Sequence, residues 1–484
     1  MKEKSIVSNI VFNVIYKFMN VIFPFITSIY ISHIILAIGV GKVSRAQNIV
    51  QYFVLIAPLG IVNYGTREIA RIRDSRAKTD KLFSELFWIN FCSTIVCSIS
   101  YYSIILFTDL FASDRVLFLI AGLPIVFNVI NVEWYYQGYE EYGYIAVRSV
   151  IIKFISLIAM LLFVRNVNDY IVYAGIYACG IVGNYIFNAA NLVKHGVKLQ
   201  FDGLNFRKHL KPIFILLCSG ISIELYTLVD TTMLGAMCTE EVVGYYTNSI
   251  KLVRIVVGLI AAIGGVLLPR LSYYRKNNLQ EKSNELISNI VMLMLFLAIP
   301  SGIGIFSLAD KLIPLLFGDS FIPAAGTVKI ASFLIYVLGF SNLFGTQVLL
   351  SYNQEKKLLI STLFGAVSNI IMNSIWIPIY QQNGAVVASV ISETLVTSLT
   401  IIFSLKYVKV KIKPKFIICV CSSAVVMGIV ILFLSYIKMN LIMNLLLCIF
   451  SGGLIYILCN ILEKNPILIV FNSILKKREK MNEI

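Results

Sequence analysis

Residues Ile287–Leu308 read ISNIVMLMLFLAIPSGIGIFSL, with no charged side chain anywhere in the run. Lys282 and Glu285 stand before it, and Asp310 and Lys311 close it. A helix crosses about 30 Å of hydrocarbon in about 20 apolar residues, so this run is long enough to span a bilayer. A barrel strand alternates in and out over about ten residues. This stretch is apolar on every face and too long for that, so a strand reading fails. In lipid a helix satisfies its own backbone N–H and C=O groups, which nothing else there can do.

The same pattern continues on both sides. Downstream come Ala325–Leu350, Leu358–Ile379, Gly384–Leu405, Phe416–Ile437 and Leu441–Ile461. Upstream come Ile6–Ser32, Val43–Val62, Leu82–Phe107, Val116–Tyr136, Ile145–Val164, Tyr170–Leu192, Pro212–Ala236 and Val243–Leu267. The expectation is an all-α polytopic membrane protein with about 14 spans. Composition agrees: of 484 residues 58% are hydrophobic and 14% charged, more apolar side chain than a soluble interior of this size can hide.

The net charge of +16 raises nucleic acid or anionic lipid as a partner, but the distribution speaks for topology. Lys and Arg gather in alternate breaks: Arg67–Lys81, Lys194–Lys211, Arg270–Lys282, Lys356–Lys357, Lys406–Lys415 and the tail from Lys464. The other breaks hold only Lys42, Arg45, Arg115, Arg165, Lys311, Lys329 and Lys438. Under the positive-inside rule the rich set faces the cytoplasm, as do both termini. A span missed in the middle would invert this bias downstream, and no inversion occurs. The first apolar stretch exceeds a signal core and lacks a small-residue cleavage site, so it is expected to remain as an anchor. The cysteines are an odd, scattered, mostly apolar set rather than a disulfide framework.

A weak internal repeat divides the chain. Gly41–Val50 has a counterpart in Gly244–Val253, and Tyr136–Glu141 has one in Tyr352–Lys357. The expected domains are an N-terminal lobe at 1–200, a second lobe at 201–406, and two further helices with a basic tail at 407–484. Each lobe holds an even number of helices (six), so the repeats are parallel, with a cleft between them that can open to either side.

Two segments carry a resemblance. Tyr64-Gly65-Thr66-Arg67-Glu68-Ile69-Ala70 and Glu133-Trp134-Tyr135-Tyr136-Gln137-Gly138-Tyr139-Glu140-Glu141-Tyr142 resemble the polysaccharide-biosynthesis (O-antigen and capsule repeat-unit, Wzx-like) flippases of the multidrug/oligosaccharidyl-lipid/polysaccharide exporter superfamily. The resemblance covers nearly the whole chain. It implies a cationic central cavity in the bacterial cytoplasmic membrane, moving undecaprenyl-diphosphate-linked oligosaccharide from inner to outer leaflet by alternating access. Membrane lipids, a polysaccharide polymerase and glycosyltransferases are the implied partners. A cation-coupled drug exporter, a lipid II flippase, and a glycan-assembly enzyme or scaffold are the alternatives.

Ionisable residues inside spans cost about 2.5–3.5 kcal/mol each at mid-helix, so they normally face protein or water. The candidates are Lys17, Lys153, Glu224, Asp230, Lys251, Arg254 and Glu393. Two readings stand side by side. In one, Glu224 pairs with Arg254 and Asp230 with Lys251 to pin a hairpin. In the other, Lys17, Lys153, Lys251 and Arg254 line the cavity and receive a diphosphate, while Glu224, Asp230 or Glu393 carries a coupling ion. Trp88, Trp134 and Trp376 read as interface anchors, and Pro24, Pro58, Pro124 and Pro300 as kinks.

No G-x-x-x-x-G-K-[ST] phosphate loop is present, so ATP hydrolysis is not expected. His33, His195 and His209 lack metal-site spacing, and no cofactor or metal is expected. The breaks are too short to house a catalytic domain, which speaks against an enzyme.

Overall fold

The computed structural model describes residues 6–467 apart from 195, 265 and 266, with all of their side chains except those of 6–18, 21, 218–227, 263, 264, 268 and 269. Among these residues every regular element is helical. The chain forms two compact units, Met1–Gly244 and Tyr245–Ile484.

The first unit contains α1 (Ile6–Ile56), α2 (Ile61–Ile72), α3 (Arg76–Phe107), α4 (Arg115–Ala121), α5 (Leu123–Phe127), α6 (Glu133–Gly138), α7 (Tyr142–Phe163), α8 (Tyr170–Lys194) and α9 (Arg207–Met237). Helix α10 (Glu240–Gly264) starts in it and runs into the second. The second unit continues with α11 (Leu267–Lys276), α12 (Gln280–Phe317), α13 (Ala324–Ala331) and α14 (Leu334–Phe340). A π-helical turn over Ser341–Leu349 follows, then α15 (Glu355–Ser404), α16 (Pro414–Ser435) and α17 (Leu441–Leu462).

Each expected span is helical where described, but several boundaries move. The expected breaks between the first and second spans and between the eleventh and twelfth are sharp kinks, at Leu36 (φ 58°) within α1 and at Gln381 (φ 51°) within α15. The fourth is cut into α4, α5 and α6, with Pro124 opening α5. Pro24 and Pro300 sit inside continuous helices. Ten segments among the described residues are long and apolar enough to cross a membrane, so this is a multi-pass membrane protein, and that measure does not establish 14. One reason is that α15 counts once although it holds two expected spans.

The breaks sort by end as the basic residues do. In the first unit, Arg73 pairs with Glu140 at 3.2 Å and Lys208 with Glu85 at 2.8 Å, tying the Arg67–Lys81 stretch to the turn at Glu140 and to the Lys194–Lys211 break. Lys42 pairs with Asp114 at 2.8 Å, and Tyr170 donates to the same carboxylate at 3.0 Å, joining the sparse set. In the second unit, Gln280 donates to Tyr407 O at 2.7 Å and Arg275 to Ser351 O at 2.8 Å. Asp310 pairs with Lys329 at 2.7 Å, and Thr327 donates to Asn383 at 2.7 Å.

Both resemblance-bearing segments pack on each other. A side chain at Gly65 would strike the Trp134 ring, and one at Gly138 would meet Ile69 Cβ at 2.6 Å. Thr66 donates to Val62 O at 2.7 Å and lies 3.3 Å from both Trp134 O and Gln137 Oε1. Trp134 is only 2% exposed within a core that includes Tyr64, Phe83 and Tyr136, so it is not the interface anchor expected. The appended α16 and α17 dock on α12, where Tyr456 donates to Phe296 O at 2.8 Å and Lys311 bonds Asn444 at 2.7 Å and Ser435 O.

Two glycines from the repeat also meet. A Cβ on Gly41 would collide with Glu240 O and stand 3.1 Å from Gly244 N, and one on Gly244 would collide with Ala37 O and stand 3.2 Å from Gly41 N. Helices α1 and α10 therefore cross backbone to backbone, with Arg45 clamped to Glu240 at 2.6 Å alongside. Gly41→Val or Gly244→Val is expected to cost about 1–3 kcal/mol by overpacking. Gly258→Ala, where a Cβ meets nothing within 4 Å, serves as the control. Thermal unfolding in detergent reads the difference, and equal midpoints for all three variants would contradict the crossing.

Candidate functional site

The polar cleft of the first unit starts from α6. Glu133 opens this short helix, and its carboxylate takes the guanidinium of Arg148 on α7 at 2.7 Å. Arg148 is 5% exposed and also holds the side chain of Asn188 and, at 3.3 Å, Asn184 O, both on α8. Its guanidinium lies 5.8 Å from the Tyr144 ring centroid. A buried arginine with this many partners is a structural clamp tying α6, α7 and α8 together.

Lys153 lies beyond Arg148 on α7 and faces the same cleft, of about 320 Å³. Its ammonium donates to Asn20 Oδ1 on α1 at 2.5 Å and stands 5.8 Å from the Phe23 ring centroid. Among the described residues no carboxylate pairs with it. Ser149, Ser156, Asn184, Tyr177 and Tyr185 supply the remaining polar lining. The arrangement can hold an anion against a cation whose own shell is neutral, with hydroxyls and amides beside it. Nothing in it resembles a nucleophile–base pair, and no group of metal-ligating side chains occurs among the described residues.

The other sequence candidates are dispersed. Lys251 is half-buried and Arg254 exposed on α10 in the second unit. Glu393 is buried on α15, in a polar stripe with Ser389, Thr397 and Thr400. Asp230 is buried on α9, beside the contact in which Asn48 donates to Leu228 O at 3.0 Å and Tyr52 meets Thr232 at 2.8 Å. The side chains of Lys17 and Glu224 lie outside the described residues, and with Glu224 goes its expected pair with Arg254. The Asp230–Lys251 pair stays an expectation.

Two functional-looking groups escaped the sequence reading. Arg148 and Glu85 both lie inside expected spans, and both are buried. The signal was available, since any ionisable residue within a span warrants a partner search. Each sits within a few residues of its span's start, where it reads as part of the neighbouring polar break.

A family model described as "Polysaccharide biosynthesis protein" matches residues 6–275, more than half of the chain. The chain belongs to the polysaccharide biosynthesis protein family. It is similar to the "Putative O-antigen transporter" of Escherichia coli K12, at 22% identity over 82% of this chain and 95% of the relative. It is also similar to the "Probable low-salt glycan biosynthesis flippase Agl15" of Haloferax volcanii, at 26% identity over 50% of this chain and 52% of the relative. Among solved structures, "Lipid II flippase MurJ, inward closed conformation" matches with a TM-score of 0.75 at 18% identity, covering 94% of this chain and 99% of that one. The chain therefore shares the fold of that flippase structure, and its curated relatives are described as a transporter and a flippase.

Removing one partner from a buried pair strands the other charge, at about 3–5 kcal/mol. Arg148→Ala is expected to destabilise the fold by that order, and Arg148→Met with Glu133→Leu to recover most of the loss. A double-mutant cycle on detergent-unfolding midpoints measures it. An Arg148→Ala protein as stable as the parent would refute the clamp.

Proposed function

We infer that this family member flips undecaprenyl-diphosphate-linked oligosaccharide repeat units from the inner to the outer leaflet of the bacterial cytoplasmic membrane, by alternating access, for surface polysaccharide assembly. The observation that carries the reading is Lys153: a cation in a polar cleft, bonded among the described residues to one neutral amide, within a polysaccharide-biosynthesis chain. A diphosphate entering a low-dielectric site needs cations not already neutralised by carboxylates. Arg148 is committed to Glu133, whereas Lys153 is available. Tyr177 and Tyr185 offer ring faces and hydroxyls suited to sugars.

In this reading Lys17, Lys251 and Arg254 complete the cationic set, and Glu224, Asp230 or Glu393 carries the coupling ion or pairs structurally. The lobes divide at 1–200 and 201–406, with 407–484 outside the transport repeat. Both termini face the cytoplasm, on the side of the basic breaks. The absence of a phosphate loop from the sequence leaves an ion gradient, the membrane potential or product consumption as the driving force. A polymerase and glycosyltransferases act on either side of the step.

Lys153→Ala is expected to lower surface glycan display about tenfold to a hundredfold at matched protein level, the value of one charge-assisted contact of about 1.5–3 kcal/mol. Inner-leaflet lipid-linked glycan should accumulate in parallel. Full display by the Ala variants of Lys17, Lys153, Lys251 and Arg254, each tested singly, would sink the cationic-cavity assignment.

A further inference from the structure

The basic start of α3 does more than a topology signal requires. Topology needs charge in the break, with no particular shape. Here Lys78 and Lys81 line a cleft of about 380 Å³ together with Tyr64, Glu68, Lys208 and His209. Its wall is built around Glu85, which is fully buried. Glu85 accepts from Lys208 at 2.8 Å and from Asn205 N at 2.9 Å, and its Oε2 lies 2.8 Å from His209 Nε2. His209 Nδ1 in turn lies 2.8 Å from the Tyr64 hydroxyl. Glu68 takes Arg67 at 3.0 Å and Arg71 at 3.2 Å. Both carboxylates lining the cleft are thus already matched by cations. Among the described residues neither Lys78 nor Lys81 pairs with a carboxylate, so their charge is left for something else.

The same helix face leads from this cleft into apolar surface. On α3 the residues Lys81, Glu85, Trp88, Cys92 and Val96 follow at three- and four-residue spacing, which places them on one side of the helix. Trp88, Cys92 and Val96, with Ile56 and Leu59 beside α1 and Leu210 on α9, line a groove of about 480 Å³ that is almost wholly apolar. Lys81 and Trp88 are about 10 Å apart along the axis at 1.5 Å per residue. A free anion would use only the cleft, and an apolar peptide only the groove.

We propose that the first unit holds a binding site for an anionic glycerophospholipid, with its phosphate against Lys78 and Lys81 and an acyl chain in the Trp88–Cys92–Val96 groove. The site is lined by different residues from the Lys153 cleft. It rests on the transport reading only for naming the leaflet as the cytoplasmic one.

The test uses the purified full-length chain, with native mass spectrometry counting lipid retained after exchange into mixed micelles of phosphatidylglycerol or phosphatidylcholine. Phosphatidylglycerol is expected to be retained at least fivefold more than phosphatidylcholine. The doubly substituted Lys78→Gln, Lys81→Gln chain should hold the two equally, and Val96→Trp should lower retention of both by filling the groove. Lys153→Ala should keep the full preference even where its glycan display is lost, which separates this site from the transport cleft. Equal retention by the unsubstituted chain, or a preference surviving in the double variant, overturns the proposal. Displacement by glycerol phosphate as effective as by the lipid reassigns the cleft to free phosphate and overturns it too. Loss of preference in Lys153→Ala would place the lipid in the transport cleft and overturn it as well.

Discussion

A peptide group in hydrocarbon finds no hydrogen-bond partner outside the protein, so a membrane helix can break only where something else takes over the freed carbonyls. In the two most fragmented spans of this chain, side chains of a neighbouring helix add bonds to the carbonyls beside the break. The fourth span breaks at Gly122 and Pro124, and the hydroxyls of Tyr101 and Tyr102 on α3 donate to Phe118 O at 2.6 Å and Leu119 O at 3.1 Å. The tenth slips into a π-helical turn, and Thr397 and Ser404 on α15 donate to Val337 O at 3.2 Å and Phe344 O at 2.9 Å. These spans hold equivalent places in the two expected six-helix sets. In both units hydroxyls of a neighbouring helix bond carbonyls of the irregular segment and tie it in place.

The same shortage of solvent governs side chains. Arg148 and Glu85 are buried at the ends of their helices, and each is surrounded by partners: Glu133, Asn184 and Asn188 for the first, Lys208, His209 and Asn205 N for the second. Such clusters offset the cost of burial with their own charge-assisted hydrogen bonds and hold neighbouring elements in register. Lys153 is different in kind. It lies deeper along α7 with, among the described residues, one neutral amide as its bonded partner, a poor trade for stability and a good one for a ligand that brings its own negative charge.

Much of this was legible before any coordinates. Apolar run length located the helices, and the alternation of basic residues sorted the breaks by end, because both follow from single-residue transfer energies that do not depend on neighbours. Lys153 was legible for the same reason. What could not be read was partnership. Trp134 looks like an interface anchor in sequence, but Gly65 opens a slot for it on α2, and that slot exists only once α2 and α6 pack. The polar turn at 381–383 marks the kink of α15 at Gln381, but the kink of α1 falls on Leu36, which carries no breaker signal, while Pro24 and Pro300 stay inside helices.

The Gly65 and Glu133–Gly138 stretches invite a functional reading because they are polar, aromatic and distinctive. Their contacts are with each other: Gly65 on Trp134, Gly138 on Ile69, Thr66 near Gln137, Tyr136 on Asn188 O at 2.8 Å. They weld α2 to α6 and, through Glu133 and Arg148, anchor the base of the helix that bears Lys153. Their contribution to transport is then indirect, by fixing the position of one cation. That links the two levels of the molecule: a rigid aromatic end near the basic breaks holds α7, and α7 carries its unmatched charge into the polar cleft, where a substrate phosphate would need it.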